Sequence, residues 1–328
     1  MENVVINRLQ SVQFGEPQRF KNIAILPLLA ADGLVQYQTL GEALAKSNIT
    51  VTEISASGSV PELLVHNRGN SSVLLIDGEE LAGAKQNRVL NSSILLKGNS
   101  ETRIPVSCTE QGRWSYSSAS FAESGNIMAQ KLRARKSRSV SHSLEASASY
   151  KSDQSEVWEG ISFLKAKACC DSPTSAMNDV FKTREHDLSE CAEIFRCVPG
   201  QVGLFSFTNG APAGLDIVSL GSTYAQIHSK LVRSYALEGL IESTKTETSE
   251  CDFLGVAKDF LGQINTARER RFPSVGCGED CRYRDHCLAG SALLFENEVI
   301  HTAFFRLDAD RSVESHILQN RRRNYGRF

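Results

Sequence analysis

The chain has 328 residues, enough for one large domain or two ordinary ones with a substantial buried core. With 41% hydrophobic and 23% charged residues it has an average globular composition, which excludes a small stapled scaffold, a fibrous repeat and wholesale disorder. A formal net charge of -2 supplies no overall attraction to nucleic acid or to an anionic membrane, so any such binding would have to be local.

The opening residues carry charges and no apolar stretch of signal-peptide length, and no uncharged apolar run approaches the ~20 residues that span a bilayer. The expectation is a cytoplasmic protein without a membrane partner. Nine cysteines are an odd number on a long chain without an export signal, which argues for reduced, buried thiols rather than a disulfide framework. β-Branched and aliphatic runs at 23–29, 50–55, 62–66 and 72–76, punctuated by Gly, Asn and Ser, read as strands. Two more, 93–97 and 101–107, flank Gly98-Asn99, the turn residues of a hairpin. In the second, Ile104 and Val106 should face one side and Arg103 and Ser107 the other. Only 40–46 reads as helix in this half, so the first ~110 residues are expected to be mainly antiparallel β.

Between 115 and 155 serine becomes dense and Lys131, Arg133, Arg135, Lys136 and Arg138 form a basic run. This stretch reads as a mobile connection, either a solvated loop or fraying helix, or a basic lid over an anionic ligand. Helical spacing follows: Val157, Ile161, Leu164 and Ala168 share a face behind Asp153 and Glu156 in capping positions, and Met177, Val180, Phe181, Leu188, Cys191 and Phe195 continue the period. A hairpin is expected at 202–207 and 214–219 around Asn209-Gly210, then helices marked by Tyr224 to Tyr235 and by Phe253 to Ile264. A second hairpin, 292–295 with 299–306, precedes a basic tail over 307–328. The fold class expected is α+β: one domain over 1–306, an antiparallel β-rich amino-terminal half with a helical carboxy-terminal half carrying two β-hairpins.

The densest cluster of functional groups runs from Asp77 to Asn91. Asp77, Glu79, Glu80, Lys85, Arg88 and three amides lie between strands that should be buried, where charge is costly unless it pairs or meets a ligand. Carboxylates there suit acid–base work or a divalent cation; Lys85 and Arg88 suit phosphate or carboxylate. An exposed, salt-bridged turn is the bland alternative. Next comes Cys108-Thr109-Glu110-Gln111-Gly112-Arg113-Trp114, where Glu110, Gln111 and Arg113 offer a base, an amide and a guanidinium and Trp114 a stacking face. A structural tryptophan with a cation-π partner accounts equally well for it.

DGEELAGAKQNRVLNSSILL, IPVSCTEQGRW, VWEGI, GLFSFTNGAPAGLDIVS, SYALEGL and LAGSALLFENEVIHTAFF together resemble the ADP-ribosylglycohydrolase- and rhodanese/phosphatase-associated protein domain family of bacteria and archaea, over roughly residues 5 to 306. The resemblance implies a shared pocket rather than a reaction, with Glu79, Glu80, Lys85, Gln86, Asn87, Arg88, Asn91, Glu110, Gln111, Arg113 and His301 as its residues. Cys277, Cys281, Cys287 and His286 could ligate zinc, although the spacing is not that of a CxxC pair and packed thiols account for them more simply. His301 sits in an apolar strand, as a core histidine or as a general acid or base. GxSxG, GxxxxGK[ST], HExxH and post-strand GxGxxG motifs are lacking. The leading expectation is a hydrolase or transferase on a nucleotide or ADP-ribose-like metabolite: Glu79, Glu80, Glu110 and His301 catalytic, Lys85, Gln86, Asn87, Arg88, Asn91, Gln111, Arg113 and Trp114 ligand-binding. The alternative is a non-catalytic sensor of an anionic ligand or protein partner, and nucleic-acid binding through the basic segments is the weakest reading.

Overall fold

A computed structural model of the chain describes residues 3–55, 58, 61–242 and 251–307. In chain order they form helix α1 (Val4–Ser11), strands β1 (Gln13–Phe14), β2 (Gln18–Phe20), β3 (Ile23–Leu29) and β4 (Gln38–Thr39), and helix α2 (Leu40–Ala45). Strands β5 (Ile49–Glu53), β6 (Glu62–Asn67), β7 (Val73–Leu75), β8 (Glu79–Gly83), β9 (Arg88–Leu90), β10 (Ile94–Leu96), β11 (Ser100–Cys108) and β12 (Phe121–Ile127) follow. Helices α3 (Gln130–Ser147), α4 (Gln154–Lys167), α5 (Met177–Thr183) and α6 (Glu185–Ile194) lead to strands β13 (Gln201–Thr208) and β14 (Ala211–Val218). After α7 (Gly221–Ile241) and α8 (Phe253–Thr266) come β15 (Arg268–Pro273), β16 (Glu279–Arg284), β17 (Leu288–Phe295) and β18 (Glu298–Arg306). The fold is mixed α and β with a β-rich amino-terminal half, and among the described residues no helix is long and apolar enough to cross a membrane.

A large antiparallel sheet runs β1-β3-β13-β14-β18-β17-β16-β15, with β2 also on β3. Alternation along its strands sends Leu26, Phe205, Phe207 and Phe304 to a core closed by α1 and α8, and Ile25, Leu204, Ala303 and Phe305 to one closed by α3 to α7. Its hairpin β13–β14 turns on Asn209 and Gly210, both at positive φ, the geometry that matches strand twist. A second antiparallel sheet, β12-β8-β9-β11-β6-β5, curls until β12 and β5 touch. Val51, Leu63, Val65, Leu81, Leu90, Ile104 and Val106 fill its interior, with α2 and the small sheet β10-β7-β4 against it. The helices α3 to α7 lie between the two main sheets and share one core with Leu74, Ile76 and Val89.

Three expectations are corrected. The carboxy-terminal half is not mainly helical: β13 to β18 lie in it and make most of the large sheet. In β15 and β16 every position of RERR and most of EDCRYR is charged or polar, so their period of two carries no apolar signal. Strands β10 and β11 do not form a hairpin; β10 pairs with β7 and β11 with β6 and β9. The Gly98-Asn99 turn instead hands the chain from one sheet to another, with Gly98 packed on the Asn70 backbone, whose carbonyl would stand 2.3 Å from an added Cβ. The 115–155 stretch, read as mobile, contains β12 and the 18-residue helix α3. Its buried helical face mixes Arg133, Lys136, Ser137 and Ser141 with the apolar Val140 and Leu144, so the apolar signal on it is sparse. The basic tail from 308 onward lies outside the described residues.

The close approach of α3 depends on Gly78, between β7 and β8. Its φ is +86°, and a Cβ there would lie 2.8 Å from Arg133 Nε and 2.9 Å from its Cδ. Gly125 has a φ of +80° but open space around it. Gly78→Ala should therefore cost about 3 kcal/mol of stability, strain plus displacement of Arg133, against about 1 kcal/mol for Gly125→Ala. Urea denaturation of the two variants checks this, and equal losses would contradict the packing argument.

Candidate functional site

The polar run from Asp77 to Asn91 does not form one pocket; the backbone distributes it among three environments. Asp77 turns toward α3, where Lys136 donates to its Oδ1 and to the Leu90 carbonyl, and Arg133 Nε lies 3.7 Å from its Oδ2. Arg133 in turn makes a bidentate pair with Asp216 of β14, at 3.0 and 2.8 Å. Tyr235 of α7 donates to Asp216 Oδ2 at 2.7 Å, and His301 Nε2 of β18 lies 3.1 Å from Oδ1. Burial alone would raise the Asp216 carboxyl, but Arg133 and His301 outweigh it and hold it at about 2. Asp216 contributes stability above the ordinary carboxylate range, and that contribution is lost as pH falls through about 2.

Glu79 and Glu80 sit apart from this network and from each other. Glu79 accepts from Lys230 of α7 at 2.7 Å and from the Ile76 amide at 2.9 Å. Lys230 also binds Glu123. Glu80 lies opposite Val89 in the β8–β9 register, facing the helices, where the Thr109 hydroxyl donates to its Oε1 at 2.7 Å. Burial lifts the Glu80 carboxyl to about 7 despite that bond, with Glu110 and Asp179 adding to the rise.

Arg88 faces the other side, opposite Leu81 and Cys108, at one end of the curled sheet's interior. Its Nη1 donates to Gln86 Oε1 at 2.8 Å and to Cys108 Sγ at 2.9 Å. Its Nη2 stands 3.6 Å from Glu53 Oε1 of β5, too long for a hydrogen bond. Arg88 Nε and Nη2 and both Glu53 oxygens are buried without a hydrogen-bond partner among the described residues. Over this pair lies an aromatic and cationic rim: the Trp114 ring centre is 5.6 Å from Arg88 Cζ and 5.2 Å from Lys85 Nζ, and Tyr116 is 5.2 Å from Lys85. Trp114 is 48% and Tyr116 51% exposed, so the rim faces solvent.

Other expected residues prove to be ties within the loops. Arg113 is consumed by Glu110, by the carbonyls of Gly83, Ala84 and Ser115, by Ser117 and by Asn87, which leaves it no donor for a phosphate. Glu110 accepts from the Asn87 amide, Arg113 and Thr174. Asn91 links Ser107 to the Tyr150 carbonyl, and Gln111 is exposed beside the loop. The zinc reading is corrected as well: Cys281 is packed in the α8-side core while Cys287 and His286 are exposed. Among the described residues no three His, Cys, Asp or Glu side chains are disposed to hold one ion. Of the basic run 131–138, Arg133 and Lys136 are interior and Lys131 and Arg138 pair with Glu242 and Glu156, so it offers no continuous stripe for nucleic acid.

Sequence reasoning missed Glu53, Asp216 and Ser93, and placed Arg133 and Lys136 in a mobile basic run instead of the interior. Two signals were present: Glu53 occupies the third inward position of the alternating strand Ile49-Thr50-Val51-Thr52-Glu53, and Asp216 is an acid inside the apolar run Gly214-Leu215-Asp216-Ile217-Val218. Ser93 left no trace in the pattern.

These features define a mixed α/β protein of antiparallel sheets, with a buried ionic network at its centre and a charged, aromatic-rimmed mouth on its smaller sheet. The chain belongs to the ARG and Rhodanese-Phosphatase-superfamily-associated Protein domain family (ARPP-1), whose family model matches residues 11–305. That name links the domain to ARG and to rhodanese- and phosphatase-superfamily proteins. Neither the curated proteins nor the solved structures compared with the chain include a match.

The raised Glu80 carboxyl has a direct consequence. A folded-state value near 7 against an unfolded value of 4.5 means that the native state binds the extra proton, so stability falls as pH rises from 4.5 through 7. The fall attributable to Glu80 is of the order of 3 kcal/mol. Glu238, also lifted to about 7 by burial, adds a second part. Urea midpoints measured across that window should drop in the parent chain and drop distinctly less in Glu80→Gln, which keeps an acceptor for Thr109.

Proposed function

We propose that this protein is a hydrolase or transferase that binds a nucleotide-like or otherwise phosphorylated metabolite, ADP-ribose-like compounds included, at the mouth of the curled sheet. The observation that carries this reading is the Arg88–Glu53 pair, buried beneath the rim with two donors and two acceptors unsatisfied. Leaving such groups unpaired away from water is costly, and a ligand that accepts from Arg88 and donates to Glu53 removes the cost. Trp114 and Tyr116 offer faces for a base, and Lys85 and Arg88 offer charge to an anion. Glu53 takes the acid–base role expected of Glu79 and Glu80, because it is the carboxylate that shares a face with Arg88. A divalent cation has no part in this reading, since the neighbouring acids point elsewhere. The sensor reading has one observation in its favour: Glu53 stands within ion-pair distance of the Arg88 guanidinium, though without a hydrogen bond to it, as in a site that binds by charge without turnover.

Thermal shift and product analysis of the full chain with ADP-ribose, nucleoside diphosphates, sugar phosphates and inorganic phosphate test the proposal. One ligand class should raise the melting temperature by mass action, and Trp114→Ala should weaken its binding by about 1–3 kcal/mol. Lys85→Ala should lower affinity too, while Glu53→Gln should abolish turnover and keep binding. Binding without products in the parent chain favours the sensor; no shift with any compound contradicts the site itself.

A further inference from the structure

The connection between β9 and β10, strand β18 and strand β14 bring a hydroxyl, an imidazole and a carboxylate into series. Ser93 Oγ lies 2.7 Å from His301 Nδ1, and His301 Nε2 lies 3.1 Å from Asp216 Oδ1. In sequence these residues are 208 and 85 positions apart, so the fold alone assembles them. Asp216 is held as an ionised acceptor by two bonds from Arg133 and one from Tyr235. A carboxylate so fixed assigns the imidazole proton to Nε2, which leaves Nδ1 to accept from the Ser93 hydroxyl. The Asp77 amide donates to Ser93 Oγ at 2.9 Å and fixes its rotamer. Exposure falls along the series, 6% for Ser93, 1% for His301 and none for Asp216, the order of a relay that leads inward from its reacting end. Beside it, Ser92 Oγ and Arg133 Nε are buried donors without a hydrogen-bond partner among the described residues.

We infer that Ser93, His301 and Asp216 form a hydrolytic triad for carboxylic esters, distinct from the mouth of the curled sheet. The arrangement meets the geometric requirement for an activated nucleophile: nucleophile bonded to base, base bonded to an orienting acid. Ser93 Oγ bonds to the acyl carbon while its proton passes to His301 Nδ1. The ester C–O bond then breaks, and the departing alcohol oxygen takes that proton from His301. Water attacks the acyl-serine, gives a proton to His301, and releases the carboxylic acid as the proton returns to Ser93. Asp216 keeps its charge throughout and stabilises the imidazolium, and Arg133 and Tyr235 act as positioning residues through it. Each cycle converts one ester and one water into one acid and one alcohol.

Incubation of the full chain with diisopropyl fluorophosphate, followed by peptide mass spectrometry, tests the inference. One adduct on Ser93 is expected, absent from Ser93→Ala and formed about 100-fold more slowly in His301→Gln. No adduct, or an adduct elsewhere that persists in Ser93→Ala, overturns it. Ser93→Cys supplies a second reading through alkylation of position 93 by iodoacetamide: rapid alkylation that slows when His301→Gln is added supports the triad, and a folded Ser93→Cys chain left unalkylated overturns it. The ligand screen of the curled-sheet mouth reports on other residues, so either proposal can fail alone.

Discussion

The ion pair between Arg133 and Asp216 is the contact on which the placement of both halves depends. It joins α3 to the middle of the large sheet, and α3 then holds the β7–β8 turn through Lys136 and Asp77. Gly78 is the residue that lets this turn lie against the Arg133 stem. Taking two charges out of water costs several kcal/mol per ion, and only complete hydrogen bonding repays it. Asp216 meets that condition, with Arg133, Tyr235 and His301 all directed at its two oxygens. The pair therefore defines one docking of helix on sheet, because any other would strand a charge in the core.

The second buried pair, Arg88 with Glu53, differs in the property that matters for function. Its members stand 3.6 Å apart and leave donors and acceptors unused, although they are nearly as buried as Arg133 and Asp216. The contrast lies at the ion pairs themselves: Arg133 and Asp216 share two hydrogen bonds, whereas Arg88 and Glu53 share none. In the reading proposed above, a ligand bound under Trp114, Tyr116 and Lys85 completes this pair. The Ser93–His301–Asp216 series draws instead on the hydrogen bonds gathered at Asp216, where rigidity serves a relay.

Much of the architecture was legible. The strands 23–29, 49–53 and 62–67, the helices α2, α4, α7 and α8, and the hairpins at Asn209-Gly210 and Glu296-Asn297 follow from apolar period and turn chemistry. What escaped was structure built from polar residues. Helix α3 buries arginine, lysine and serine at helical spacing, which a hydrophobicity-based reading assigns to solvent. For the proposed site, the motif Asp77 to Asn91 runs through β8 and β9, and Lys85, Arg88 and Trp114 come together. Period two along β8 and β9 then separates Glu80 from Arg88, a consequence of register that no composition argument reveals. Glu53 and Asp216 enter from distant strands, so their company could be learned only from the fold.

The most direct test of this account is a double-mutant cycle on Arg133→Met and Asp216→Asn, read by urea denaturation. Each single change should cost about 3–5 kcal/mol, because each leaves a buried partner uncompensated. The double variant should cost little more than either alone, since the stranded charge is gone from both sides. Losses that simply add would contradict the claim that this pair governs how the helix docks on the sheet.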